Sequence, residues 1–255
     1  MYAEERQQAI ATLVMENGRA SVAELAAAYD VTTETVRRDL AVLDRAGLVR
    51  RVHGGAVPAR SLHLVEAGVG ERENSRADYK NAIAAAAVDY CPVGGGSMLL
   101  DAGTTTARIA AALPTDRELV VVTNSVPIAA RLAGVPSVHL QLLGGRVRGL
   151  TQAAVGEQTL RVLDHLRVDV AFLGTNGITA RHGLSTPDSE EAAVKRAMVS
   201  AANYVVVAAD SSKIGREEFV RFAPIERVDT LITDREIDDA HRRELTDLGI
   251  EVVVA

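Results

Sequence analysis

The sequence predicts an α/β chain in two parts, a small helical domain followed by a larger, mostly parallel α/β domain. Three observations carry that expectation. Residues 4–45 hold three short stretches of apolar residues at helical spacing. From residue 79 onward, helical patterns alternate with β-branched runs such as LVVVT at 119–123 and YVVVA at 204–208, which suit strands buried on both faces. Aromatic content is 3% with no Trp, so Ala, Val and Leu must fill the core. That favours helices packed on parallel strands over an aromatic-rich sandwich.

The first helix is expected from Glu4 to Met15, with Ile10, Leu13 and Val14 on one face and Asn17-Gly18 as its stop. Ser21 followed by Glu24 reads as a capping box, and Leu25 anchors a short second helix ending near Tyr29-Asp30. Thr32 caps a third helix from about Thr33 to Arg45, with Val36, Leu40 and Leu43 on its buried face and Gly47 beyond its end. Three short helices with a tight turn between the second and third make a helix-turn-helix. In that arrangement the third helix enters the DNA major groove and presents Thr33, Glu34, Thr35, Arg37 and Arg38 to base edges. Val36 and Leu40 face the core, so at least one of the two arginines must face outward. Asp39 is a candidate to hold an Arg in place. Leu48–Val52 reads as a strand and His53-Gly54-Gly55 as a turn. That is a wing, with Arg50, Arg51 and His53 placed to reach phosphates or the minor groove. The expected winged helix-turn-helix occupies residues 1–57. A helical protein-docking domain with arginines on a solvated face is the alternative.

A net charge of −6 argues at first against nucleic acid. Its distribution does not. Residues 1–60 carry eight Arg and eight acidic groups, and Arg37, Arg38, Arg45, Arg50 and Arg51 fall within fifteen residues. A local basic patch on an acidic protein still binds a polyanion. The single Cys91 rules out an internal disulfide and fits a reducing, cytoplasmic setting. No apolar run approaches the roughly 18 residues of a membrane span. The charged N-terminus lacks the form of a signal peptide. One Cys and scattered His, including His53 and His182, make no tetrahedral metal set, so no metal or cofactor is expected.

Residues 58–78, weakly patterned, read as a linker, and residues 79–255 as the second domain. There a helix over 79–90 leads into strands at 97–100, 119–122, 138–143, 168–173, 204–208, 230–232 and 252–254, with helices between them. The alternation predicts a doubly wound parallel sheet, whose ligands bind at the carboxyl ends of the strands. Polar loops fall there repeatedly. Asp101-Ala-Gly103-Thr104-Thr105-Thr106 opens a helix and suits an anion nest. Thr123-Asn124, Gly144-Gly145-Arg146, Gly174-Thr175-Asn176 and Asp210-Ser211-Ser212-Lys213 follow later strands, and Glu190 stands near a helix start. Neither GxGxxG nor a P-loop occurs. Hydroxyls, an amide, Arg and Lys suit a sugar phosphate, with its phosphate at Gly103–Thr106 and Asp101, Asn124, Glu190, Asp210 and Lys213 as candidates for its hydroxyls or anionic ends. A sugar-phosphate isomerase using acid–base groups such as Asp101, Glu190, Lys195 and Asp210, and an adaptor with no ligand, are the competing classes. A DNA-binding module in front favours sensing, because turnover would destroy the signal.

These motifs resemble the DeoR family of bacterial transcriptional regulators. VTTETVRRDL at 31–40 and GLVRRVHGGA at 47–56 carry the resemblance, continued by DAGTTT at 101–106, FLGTNGI at 172–178, HGLST at 182–186 and DSSKIG at 210–215. Thr32 stands where many members have Ser, a substitution of one hydroxyl cap for another. The resemblance implies a repressor of a sugar-catabolism operon, a non-enzyme that binds operator DNA and is controlled by a sugar phosphate. It also implies a sensor domain similar to the ribose-5-phosphate isomerase and CoA-transferase fold. A homo-oligomer, dimer or tetramer, is expected, because one helix-turn-helix reads only a half-site.

Overall fold

The structure, a computed structural model, describes residues 3–17, 20–45, 48–52, 55–58 and 68–255. The chain divides into two compact units, Met1–Leu64 and Val65–Ala255. The first unit contains α1 (Ala3–Asn17), β1 (Ala20–Ser21), α2 (Val22–Ala28), α3 (Thr33–Arg45), β2 (Val49–Val52) and β3 (Gly55–Pro58). The capping box is formed: Ser21 Oγ accepts from the Glu24 N–H at 3.1 Å, and Glu24 Oε2 accepts from the Ser21 N–H at 2.8 Å. Thr32 Oγ1 accepts from the Thr35 N–H at 3.2 Å and starts α3. Ile10, Val14, Leu25, Val36, Leu40 and Leu43 pack into one core. The three strands make an antiparallel sheet in the order β1-β3-β2. A Cβ on Gly55 would lie 2.3 Å from the Ala20 carbonyl oxygen, so only glycine lets β3 approach β1. His53 and Gly54 of the expected turn lie outside the described residues.

The second unit begins with α4 (Val69–Asn74), α5 (Ala77–Ala87), β4 (Ser97–Leu100), α6 (Thr104–Ala111), β5 (Leu119–Thr123), α7 (Val126–Leu132) and β6 (Val138–Leu142). It continues through β7 (Arg146–Arg148), β8 (Ala153–Val155), α8 (Glu157–Asp164), β9 (Val168–Leu173), β10 (Gly177–Thr179), β11 (Gly183–Thr186), α9 (Ser189–Ala201) and β12 (Ala202–Ala208). It closes with β13 (Val220–Ala223), β14 (Thr230–Thr233), α10 (Asp239–Asp247) and β15 (Glu251–Val254). Seven strands form one sheet in the order β15-β14-β12-β9-β4-β5-β6, and every neighbouring pair is parallel. Side chains alternate between two cores, as the two-residue period of a strand requires. Leu99, Ala171, Val205 and Val207 pack with Met198 on one face. Met98, Leu100, Phe172 and Val206 pack with Ile83, Ile109 and Ile128 on the other.

The structure departs from the sequence reading in two places. Residues 68–78, expected as linker, carry α4 and the start of α5 and belong to the second unit. The VGEREN sequence of α4 has no apolar period, and its C-terminal carbonyls are instead held from outside. Lys80 Nζ donates to the carbonyls of Arg72 and Ser75, and Arg108 Nη2 donates to that of Glu73 at 2.9 Å. The second departure is the β7–β8 hairpin and the small sheet β10-β11-β13, whose strands of three or four residues are too short for a readable period.

Candidate functional site

The sheet order creates a switch point between β4 and β9. From β4 the chain moves to β5 on one side, and from β9 to β12 on the other, which leaves a crevice at the carboxyl ends of the two strands. Asp101 follows β4 and Gly174 follows β9. Asp101 is 1% exposed. It accepts from the Gly174 N–H at 3.0 Å and from Lys195 Nζ, and Lys195 also donates to the Gly174 carbonyl at 3.0 Å. Burial pushes the Asp101 carboxyl above the usual range, opposed by the Lys195 ammonium and the Gly174 N–H.

Above this pair opens a cleft with an empty volume of about 690 Å³, solvent at its mouth included. One part of its lining gathers three cations around the Asp210 carboxylate. Arg72 from α4, Lys80 from α5 and Lys213 from the loop after β12 line the cleft with Gly103–Thr106. Burial pulls both the Lys80 and the Lys213 ammonium groups below their ordinary range. The Lys213 ammonium donates no hydrogen bond to the described residues; Asp210 is the first of its charged neighbours. Gly103 is the N-cap of α6 and offers no side chain to the first-turn N–H groups. Those donors, the helix dipole and the cations make a seat for an anion. Hydrogen-bonding groups line the cleft as well: Thr151, Thr175, Asn176 and Glu191. Glu191 Oε1 accepts from Thr151 Oγ1 and from Arg148 Nη1, the latter at 3.1 Å.

Of the expected ligand residues, Gly103, Thr104, Thr105, Thr106, Gly174, Asn176, Asp210 and Lys213 line this cleft. Asp101 lies beneath it, against Lys195. Thr123 and Asn124 are buried supports rather than lining groups. Thr123 Oγ1 donates to the Leu100 carbonyl at 2.7 Å, Asn124 Oδ1 accepts from the Ala102 N–H at 3.0 Å, and Asn124 Nδ2 donates to the Ala154 carbonyl at 3.2 Å. Gly144, Gly145, Arg146 and Glu190 are not brought to the cleft. Gly145, at φ 149°, allows a close approach to Thr159 and Val155, and Arg146 pairs with Glu190 in solvent. Sequence reasoning missed Arg72, Ser75, Lys80, Thr151 and Glu191 as lining residues, named Thr175 and Ser212 only as members of the polar loops, and took Lys195 only as a possible catalyst. A signal was present for two of them: Glu191 and Lys195 share the spacing of Met198 on the buried face of α9.

In the first unit, Thr33, Glu34, Arg37 and Arg38 are exposed on α3, Thr35 is half-buried, and Val36 and Leu40 face the core. Both arginines point outward. Among the described residues Arg37 makes an exposed 3.6 Å pair with Glu34, which is weak and easily exchanged for DNA. Asp39 holds an arginine, but not one of this pair. It accepts from Arg6 Nε at 2.7 Å and Gln7 Nε2 at 2.8 Å, both in α1, and so fixes the rotation of α3. Arg50 and Arg51 sit on β2 opposite Val57 and Ala56. Replacing Arg37 or Arg38 by alanine is expected to weaken specific operator binding by about 1–3 kcal/mol for a bidentate guanine contact. A gel-shift titration checks this, and unchanged affinity for both variants would remove α3 from the major groove.

Fold and site together define a DNA-binding protein with a separate small-molecule domain. Comparison with known proteins agrees. Residues 6–61 match the DeoR-like helix-turn-helix domain and residues 75–235 the DeoR C terminal sensor domain. The chain is 39% identical to the HTH-type transcriptional regulator GlpR of Haloferax volcanii, over 98% of this chain and 96% of that one. It is 32% identical to the glycerol-3-phosphate regulon repressor of Escherichia coli, over 97% of each. Among solved structures it is similar to ribose 5-phosphate isomerase A of Methanocaldococcus jannaschii, with a TM-score of 0.41 and 20% identity over 55% of each chain. The chain belongs to the DeoR family of helix-turn-helix transcriptional regulators: it is a DNA-binding regulator and not an enzyme. Among the described residues no group of His, Cys, Asp and Glu is placed to hold a metal, and no helix is long and apolar enough to cross a membrane.

Proposed function

We propose that this regulator represses a sugar- or polyol-utilisation operon under the control of a phosphorylated ligand held in the cleft of the second unit. One observation carries the reading: Arg72, Lys80 and Lys213 line the same cleft as the uncapped start of α6, together with hydroxyls, an amide and the carboxylates of Asp210 and Glu191. A phosphate monoester fits the cations and the start of α6, and sugar hydroxyls fit the remaining polar groups. Thr104, Thr105, Thr106 and Lys213 receive the phosphate, Asn176 and Glu191 meet the hydroxyls, and Asp210, beside Lys80 and Lys213, accepts from a hydroxyl next to the phosphate. Asp101 and Lys195 form the floor. The Escherichia coli relative, a glycerol-3-phosphate regulon repressor, supports the same ligand class.

DNA is read by α3 through Thr33, Glu34, Thr35, Arg37 and Arg38, and the wing grips phosphate through Arg50, Arg51 and His53. A homo-oligomer presents two such helices to two half-sites.

A thermal-shift screen tests the ligand class, because a compound bound only by the folded state raises its apparent stability by RT ln(1 + [L]/Kd). Fructose phosphates, tagatose phosphates and glycerol phosphate are expected to raise the melting temperature, and the same sugars without phosphate are not. Equal shifts for a sugar and its phosphate would overturn the reading.

A further inference from the structure

We propose that the tip of the β7–β8 hairpin carries the state of the cleft to α4, with Thr151 as the positioning residue; this rests on the reading of the cleft as an effector site. The path is a short chain of hydrogen bonds. Glu191 uses one carboxylate oxygen, Oε1, for both Thr151 and Arg148. Its other oxygen accepts no hydrogen bond from the described residues, and the residue lines the cleft. A ligand hydroxyl donating to Oε2 therefore fixes the carboxylate to which Thr151 is bound.

Thr151 adjoins Leu150, whose carbonyl accepts the Val69 N–H at 3.1 Å. Val69 is the first residue of α4. The tip is a defined shape rather than a loose turn. Gln152 is left-handed at φ 55°, its N–H donates to the Arg148 carbonyl at 2.7 Å, and its carbonyl accepts the Val126 N–H at 3.1 Å. Turning Thr151 therefore moves Leu150 with it.

The two ends of α4 are held unequally. Lys80 and Arg108 fasten its C-terminal carbonyls, whereas its first N–H is held by the hairpin tip. Displacement of the tip thus acts on the start of α4, the end from which the chain leads back through residues 59–67 to the DNA-binding unit. Arg72, in the middle of α4, lines the cleft with the other cations. A ligand spanning the cleft acts on α4 at two points, directly through Arg72 and indirectly through Glu191, Thr151 and Leu150.

The test uses the full chain with glycerol 3-phosphate and fructose 1-phosphate as probes. It measures binding by thermal shift, amide hydrogen exchange at Val69 and Gly70, and operator affinity with and without probe. In the wild type a bound probe is expected to change Val69 exchange and to alter operator affinity by about 5- to 150-fold, the usual range of coupling. Thr151→Val keeps the shape and removes the hydroxyl. Both responses are read at saturating probe, as judged by the thermal shift, so that weaker binding does not enter, and in this variant both are expected to vanish. Thr151→Ser restores the hydroxyl and the responses. A Thr151→Val protein with the wild-type exchange and affinity changes overturns the relay. So does a wild-type chain that binds a probe with no change at Val69, an outcome that needs no variant. Failure of both probes to bind overturns the reading of the cleft as a phosphate-ligand site, and the relay with it.

Discussion

Replacing Lys195 by methionine is expected to destabilise the second unit by about 3–5 kcal/mol, the usual consequence of removing one partner of a buried ion pair. Asp101 is 1% exposed and Lys195 is 5% exposed, so neither group has water to fall back on. The loss has a pH signature. Burial already raises the Asp101 carboxyl in the intact protein, and loss of the ammonium raises it further. An acid whose folded pKa lies above its unfolded value is protonated in both states at low pH and penalises folding only as pH rises between the two values. The deficit of Lys195→Met should therefore grow from about pH 4, the unfolded aspartate value, towards neutrality. The double variant Asp101→Asn, Lys195→Met should recover most of the stability, because the asparagine oxygen still accepts from Gly174 and no charge is buried. Urea titrations at pH 5 and pH 7 measure both effects. A pH-independent deficit, or a double variant no better than the single, would show that Lys195 acts by packing alone.

Replacing Thr105 by glutamate is expected to abolish the response to effector while the chain stays folded. Thr105 lies in the first turn of α6 and lines the cleft. A carboxylate there occupies the anion seat and repels a phosphate at short range. Operator affinity without effector should stay near the wild-type value, because a ligand that no longer binds cannot bias the DNA-binding equilibrium. Lys213→Met reaches the same end by subtraction. Hydrogen bonds to charged groups are worth about 1.5–3 kcal/mol, so its effector affinity should fall roughly ten- to hundredfold. Fluorescence anisotropy of operator DNA, with and without effector, reads both variants. A Thr105→Glu protein that responds at the wild-type effector concentration would place the phosphate elsewhere in the cleft. One that loses DNA binding with unchanged circular dichroism would make the loop part of the conformational switch.

Much of this architecture was legible because its signals are local. The helices of the first unit announce themselves by caps, and the strands of the large sheet by unbroken apolar runs such as VDVAFL at 168–173. What stayed hidden depends on distant partners. The helix α4 has no apolar stripe and exists because Lys80 and Arg108 bind its end. The β7–β8 hairpin is three residues a side, and its arginines find acidic partners about forty residues later in α9. For the site, the loops after strands were readable, but helix phase was not. The sequence reading names Glu190 and not its neighbour Glu191, yet one step along a helix turns a side chain by about 100°. That step sends Glu190 to solvent with Arg146 and Glu191 into the cleft. Asn124 looked like a ligand residue for a sound reason: its amide does bind polar groups, but they are backbone groups of the protein itself.

The order of the large sheet has a consequence for the birth of the chain. β4, β5 and β6 follow one another in sequence and lie side by side in space, so this half-sheet pairs as soon as it is made. The other edge of β4 waits for β9; Asp169, which binds Ser97 across that seam, lies 72 residues further on. At roughly 5–20 residues per second of synthesis, that wait lasts roughly 4–14 s. Throughout it, the unpaired edge of Met98-Leu99-Leu100 stands open on the ribosome, a ready template for another nascent strand. A ribosome stalled before residue 168 would keep that edge open for as long as the stall lasts.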